Sequence, residues 1–207
     1  MIVATFFAPR FDKWGCDYIK LLKVTQASCD HFGVRHVVIS DRQLPFGTFI
    51  CELPENLMLA ILEGQRQFLE STDDEVLLTG ADCVLAQTPK GRLEGHDMAI
   101  TIGPFTDCEM NTGAIWCASG KRCAPVWKAA LDSRPEHWGD DQTALYAAIK
   151  ASGLNVLRHR AETHNWAPES TQDYAGMPVV AHFRGRRKKF MQPWAWLHLG
   201  LNVRGDD

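Results

Sequence analysis

The chain has no long hydrophobic run, no closely paired cysteines, no excess of either charge and no low-complexity stretch. Each absence excludes something. No segment approaches the roughly 20 consecutive apolar residues that a membrane-crossing helix requires. Residues 1–8 are apolar but have no basic lead and break at Pro9-Arg10, so they read as a first strand rather than an export signal. Seven cysteines, at 16, 29, 51, 83, 108, 117 and 123, include no CxxC pair. That spacing excludes a disulfide framework or a four-cysteine zinc site and predicts reduced, buried thiols in a cytoplasmic protein. Lys and Arg number 22 against 25 Asp and Glu, a formal net charge of −3. Such a balance argues against a globally basic nucleic-acid coat protein and against an acidic disordered tail. With 207 residues, 45% of them hydrophobic, the expectation is one domain over 1–207 with a single sizeable core.

What charge there is, is unevenly placed. Residues 181–190 hold five basic groups (Arg184, Arg186, Arg187, Lys188, Lys189) and no acid, which leaves −8 for the rest. The C-terminal segment 184–207 is therefore expected to meet an anion. Residues 2–8 suit a buried strand, and apolar positions at helical spacing run from Tyr18 to Cys29 before Gly33. A second strand follows at 36–41, a helix at 54–70 and a buried strand at 75–79 that runs on to 85. Strands at 97–103 and 113–118, helices at 121–132 and 141–151, and strands at 154–158 and 178–183 complete the pattern. Asp140-Asp141 reads as the cap of the second of these helices. Alternating strands and helices predict an α/β fold with one mostly parallel sheet flanked by helices. Ligands of such sheets sit beyond the carboxyl ends of the strands. Asp41, the Gly80-Ala81-Asp82 turn and the segment from His182 to Lys189 fall there.

An aspartate placed like Asp82 can hold a hard divalent cation, Mg²⁺ or Mn²⁺, though alone it equally reads as a turn cap. His182-Phe183-Arg184-Gly185-Arg186-Arg187-Lys188 carries more information. Glycine lets a backbone approach a ligand closely, lysine offers a point charge to a phosphate, and imidazole can complete a metal shell. The plainer readings are a solvated basic loop or a contact patch for a nucleic-acid backbone. Asn111-Thr112-Gly113 opens a strand, and Asp141-Gln142 stands at a helix start with free backbone amides nearby.

In this order the motifs resemble those of the glycogenin-like and bacterial lipopolysaccharide galactosyl- and glucosyltransferases, a retaining family with the GT-A fold. That family carries DxD, then Asn-Ser/Thr-Gly, then Asp-Gln at a helix, then His-Phe-x-Gly-x-x-Lys-Pro-Trp. Here Lys189-Phe190 stands where Pro-Trp would, and Gly80 replaces the first aspartate of DxD. The resemblance implies a glycosyltransferase using a nucleotide-diphosphate sugar, with UDP the expected nucleotide and Mn²⁺ or Mg²⁺ held by Asp82 and His182. It implies donor contacts from Phe7, Ala8, Asp82, Asn111, Thr112, Gly113, Gly185 and Lys188. Asp141 and Gln142 would stand at the reacting sugar. The acceptor could be a glycan, a lipid-linked sugar or a modified base in DNA. The reduced DxD keeps a non-catalytic nucleotide-sugar or glycan-binding module open, and the basic segment keeps a nucleic-acid-associated protein open. The family's arginine in the helix before DxD has no counterpart in register, Arg66 being nearby but displaced.

Overall fold

The computed structural model describes residues 1–11, 16–103, 108–174, 176 and 178–203. Its main sheet has seven strands: β1 (Ile2–Phe6), β2 (Arg35–Ser40), β3 (Thr48–Ile50), β4 (Val76–Gly80), β6 (Met98–Ile102), β7 (Met110–Cys117) and β8 (Val156–Arg160). The spatial order is β3-β2-β1-β4-β7-β6-β8. All pairings are parallel except those of β7, which runs against both β4 and β6. The start of β7 therefore lies at the same sheet edge as the ends of β1 and β4.

Alternation along the strands sends successive side chains to opposite faces. Ile2, Ala4, Val76, Leu78, Met98, Ile100, Ile115 and Cys117 pack on one face with residues of α2 (Leu57–Glu70), α3 (Gly120–Asp132) and α4 (Asp140–Ala151). Val3, Leu77, Ala99, Ala114 and Trp116 pack on the other. There they meet a second, two-stranded antiparallel sheet of β5 (Cys83–Leu85) and β9 (Val180–His182). The outer side of this small sheet, through Val84 and Ala181, is covered by α1 (Tyr18–His31) and α6 (Met191–Leu199). A short helix, α5 (Ala161–His164), links β8 to the approach to β9.

Several expectations are corrected here. The strand expected at 75–79 is β4, and the turn after it, at Ala81-Asp82, carries the chain out of the main sheet and into the small one. For the same reason 178–183 does not complete the main sheet. A wholly apolar short run reports burial on both faces, and a strand sandwiched between a sheet and two helices meets that condition as well as a central strand does. Helix α2 begins later than 54, at Leu57, because Asn56 caps it by accepting hydrogen bonds from the Met58 and Leu59 amides. Helix α4 is capped by Gly139 at φ 89°, with no side-chain cap bond; Asp140 and Asp141 lie inside its first turn. β3, α5 and α6 carried no signal strong enough to read from sequence. No disulfide joins any of the seven cysteines. Among the described residues, no helix is long and apolar enough to cross a membrane.

Candidate functional site

The ends of β1 and β4, the start of β7, the end of β9, the turn that follows it and the N-terminus of α4 surround one cleft of about 450 Å³, within the usual range for small-molecule sites. All eleven residues singled out from the motifs line it. Phe7 and Ala8 lie just past β1, Asp82 past β4, and Asn111, Thr112 and Gly113 at the start of β7. Asp141 and Gln142 come from the first turn of α4, His182 ends β9, and Gly185 and Lys188 belong to a 3-10 turn over Gly185–Phe190.

Asp82 and His182 are 100 residues apart in sequence and meet because Cys83 is the register partner of His182 across the small sheet. The Phe183 amide also donates to the Asp82 carbonyl at 2.8 Å, locking the two turns together. The Asp82 carboxylate is engaged on both oxygens. Oδ1 faces His182 Nε2 at 3.3 Å and Oδ2 accepts from Lys188 Nζ at 2.8 Å. All three side chains are less than a fifth exposed. Burial alone would raise the Asp82 carboxyl, but the charges and hydrogen bonds of His182 and Lys188 outweigh it and hold the group well below the usual carboxylate range. Burial works against the Lys188 ammonium, and Asp82 more than offsets it, so that lysine stays charged. The second ring nitrogen of His182, Nδ1, is buried with no hydrogen-bond partner.

The ring is packed against Gly113, where a Cβ would come within 2.2 Å of Nδ1. Only glycine leaves that space. Gly185 meets a different need: its φ is +55° and nothing lies within 4 Å of where a Cβ would stand, so the turn presents open backbone to the cleft. Asn111 Oδ1 accepts from the Gly113 amide at 2.7 Å, and Gln142 Oε1 accepts from the Thr112 amide and hydroxyl at 3.3 and 3.4 Å. The Gln142 bonds fix the start of β7 to the start of α4. Burial raises the Asp141 carboxyl above its ordinary value.

Asp82, His182 and Cys83 bring one potential ligand atom each to within 4.8 Å of one another. Asp82 and His182 fit a hard divalent cation. Their 3.3 Å separation is close to the edge of an octahedron, about 3.0 Å for bonds of roughly 2.1 Å. Cys83 does not fit, because its thiol donates to the Gly113 carbonyl and burial pushes its pKa well up, while Mg²⁺ and Mn²⁺ favour oxygen. Gly80 adds no ligand. It is not a left-handed glycine, and a Cβ there would meet Asp82 Oδ1 at 2.7 Å.

Several lining residues had not been singled out. Tyr18 stacks on Phe7 with ring centroids 5.2 Å apart, Thr79 ends a buried chain of hydroxyls, Arg184 stands inside the HFxGxxK run, and Trp138 is 81% exposed at the rim. Arg184 alone had a signal, as a charge within a motif. Asp41 does not join the cleft and pairs instead with Arg10 and Arg42. Arg66 also stays outside, bound to Glu63 and Glu70 on its own helix. The basic run divides: Arg184 and Lys188 face the cleft, Arg187 pairs with Glu169, and Arg186 and Lys189 are exposed.

No protein-family model matches the sequence, and none of the curated proteins does. Solved structures do match. A glycosyltransferase involved in the glycosylation of the major capsid of PBCV-1 superposes with a TM-score of 0.62 at 14% identity, covering 91% of this chain and 96% of that one. The glycosyltransferase GlyE of Streptococcus pneumoniae gives 0.62 at 12% identity, with 100% of this chain spanning 65% of the longer protein. An active-site mutant of LgtC gives 0.56 at 13% identity, covering 100% and 98%. At these identities the likeness establishes the fold, which is the GT-A fold of glycosyltransferases.

Proposed function

We propose that the chain is a glycosyltransferase that moves a sugar from a nucleotide-diphosphate donor, UDP-linked, to a glycan-type acceptor. The observation that carries this reading is the array of Asp82, His182 and Lys188, three groups from two distant segments facing one cleft beside an aromatic wall. Phe7, stacked on Tyr18, offers a planar face to the nucleotide base. The open backbone at Gly185 leaves room for the diphosphate, and the Lys188 ammonium lies within reach of it. Asp82 and His182 would hold Mn²⁺ or Mg²⁺, which when bound adds positive charge beside the diphosphate.

In the transfer, the bond between the anomeric carbon and the β-phosphate oxygen breaks and its electron pair leaves with the nucleotide. Lys188 stabilises that growing charge. The acceptor oxygen forms the new bond to the anomeric carbon and passes its proton to the departing β-phosphate oxygen, which closes the balance of the step. Asp141 and Gln142, at the helix start, are the groups we assign to the sugar. Gln142 is held in place by Thr112, and retention of configuration follows from the family resemblance.

Calorimetric titration of UDP and UDP-hexoses, with and without Mn²⁺, tests the reading. UDP should bind, and Lys188→Ala should weaken it by roughly 10- to 100-fold, the equivalent of about 1.5–3 kcal/mol for a charge-assisted contact. A protein that binds no nucleoside diphosphate under either condition is not this enzyme.

A further inference from the structure

Lys188 sits where a cation bound to Asp82 would feel it most. Its Nζ is 2.8 Å from Asp82 Oδ2, while Oδ1 is taken by His182 Nε2. Asp82 is the single carboxylate of the ligand group found among the described residues, and Gly80 supplies none. An ammonium in contact cancels the charge of that carboxylate, so a divalent ion approaching the protein alone meets a site with no net negative charge. Arg184, lining the same cleft, adds to the opposition.

The lysine need not stay there. Its stem is four flexible carbons, rooted in a turn whose neighbour Gly185 leaves the adjacent space open. Two anions can therefore claim the same ammonium in turn: Asp82 when the cleft is empty, and a diphosphate when one enters. We propose that Lys188 is a built-in occupant of the cation site, which it blocks until a diphosphate draws it away, so that cation and nucleotide bind interdependently. The proposal rests on the nucleotide-diphosphate reading above. It makes Lys188 opposed to the metal in the free protein and allied with it in the loaded one, and linkage requires the coupling to be reciprocal.

Binding of Mn²⁺ to the nucleotide-free protein, followed by loss of the free-ion paramagnetic resonance signal, tests it. Lys188→Met and Lys188→Gln should each bind one Mn²⁺ at least tenfold more tightly than the wild type, a gain that a generic loss of structure would not produce. Asp82→Asn should show no such gain. Calorimetry on the wild type supplies the second arm: UDP should bind at least tenfold more tightly with saturating Mn²⁺ than without it. Lysine variants that bind Mn²⁺ no better than the wild type would overturn the proposal while leaving the nucleotide reading intact, and so would equal UDP affinities with and without the ion. A wild type that binds no UDP at all removes the nucleotide reading itself and, with it, the displacement step.

Discussion

Gly113 and His182 show how much one side chain can depend on the absence of another. The imidazole reaches Asp82 because β7 carries no Cβ at the point where the ring passes, and the carbonyl of the same glycine accepts from Cys83. Gly113→Ala must push the ring or the strand aside. Overpacking of this kind costs about 1–3 kcal/mol, and the displaced ring loses its contact with Asp82. Urea unfolding should report that destabilisation, with a parallel fall in Mn²⁺-dependent UDP binding. A fully stable Gly113→Ala protein with wild-type binding would mean that the ring has room the structure does not show. Gly80 poses a milder version, since the atom that a Cβ would meet is the end of the Asp82 side chain, which can turn away.

Among the elements, α2 ties the cleft to the fold most directly. Its Leu57, Met58 and Ile61 form part of the cleft wall, while its Leu62, Phe68 and Leu69 are buried against the sheet. Asn56 holds its start twice over: Oδ1 accepts from two backbone amides, and Nδ2 donates to the Glu136 carbonyl in the loop before α4. Asn56→Ala should cost about 1 kcal/mol, the usual worth of a cap. Asn56→Asp keeps the cap and loses the tie, so its cost should be smaller. The loss in Asn56→Asp measures what the link between α2 and the α4 loop contributes, and the difference between the two variants measures the cap. Equal losses would assign the whole effect to that link.

Taken whole, the molecule should become less stable in mild acid through its buried histidines, before Asp82 is protonated. His36 is buried between Gln26 Oε1 and Thr5 Oγ1, in a chain that continues through Thr79 to the cleft. Burial lowers its pKa from 6.5 to about 4, against a smaller opposing pull from Asp30. Burial, with His159 and Arg92, lowers that of His164 to about 4 as well. Both are neutral when folded, whereas the unfolded chain takes up protons from about pH 6.5 downward. Stability is therefore full above that pH and falls as the pH drops toward 4, by about 3 kcal/mol for His36. Asp82 acts in the same direction but only below about pH 4, because its folded pKa lies beneath that of the unfolded chain. Urea midpoints at pH 7.5, 5.5 and 4.5 should decline for the wild type and decline less for His36→Gln. A wild-type midpoint that does not move across this range contradicts the assignment of His36 as a neutral buried group.

The alternating strands and helices, the mostly parallel sheet and the positions of most elements followed from hydrophobic period and caps, which are local properties that a chain carries wherever it lies. The motif residues were named by the family resemblance, supported at Asp82 and His182 by their place after strands, whose ends gather at one edge. Which sheet β5 and β9 would join was not local, since both are short runs buried on two faces and the packing of α1 and α6 over them decided it. The correction at Asp140-Asp141 has the same origin, because the cap falls to whichever residue the incoming loop places outside the helix, and that residue is Gly139. Sequence named Asp82, His182 and Lys188 as candidates for one site. That the lysine rests on the aspartate, and the imidazole in the space left by a glycine, depends on side chains from segments far apart in the chain reaching the same few ångströms, and only the tertiary structure sets that.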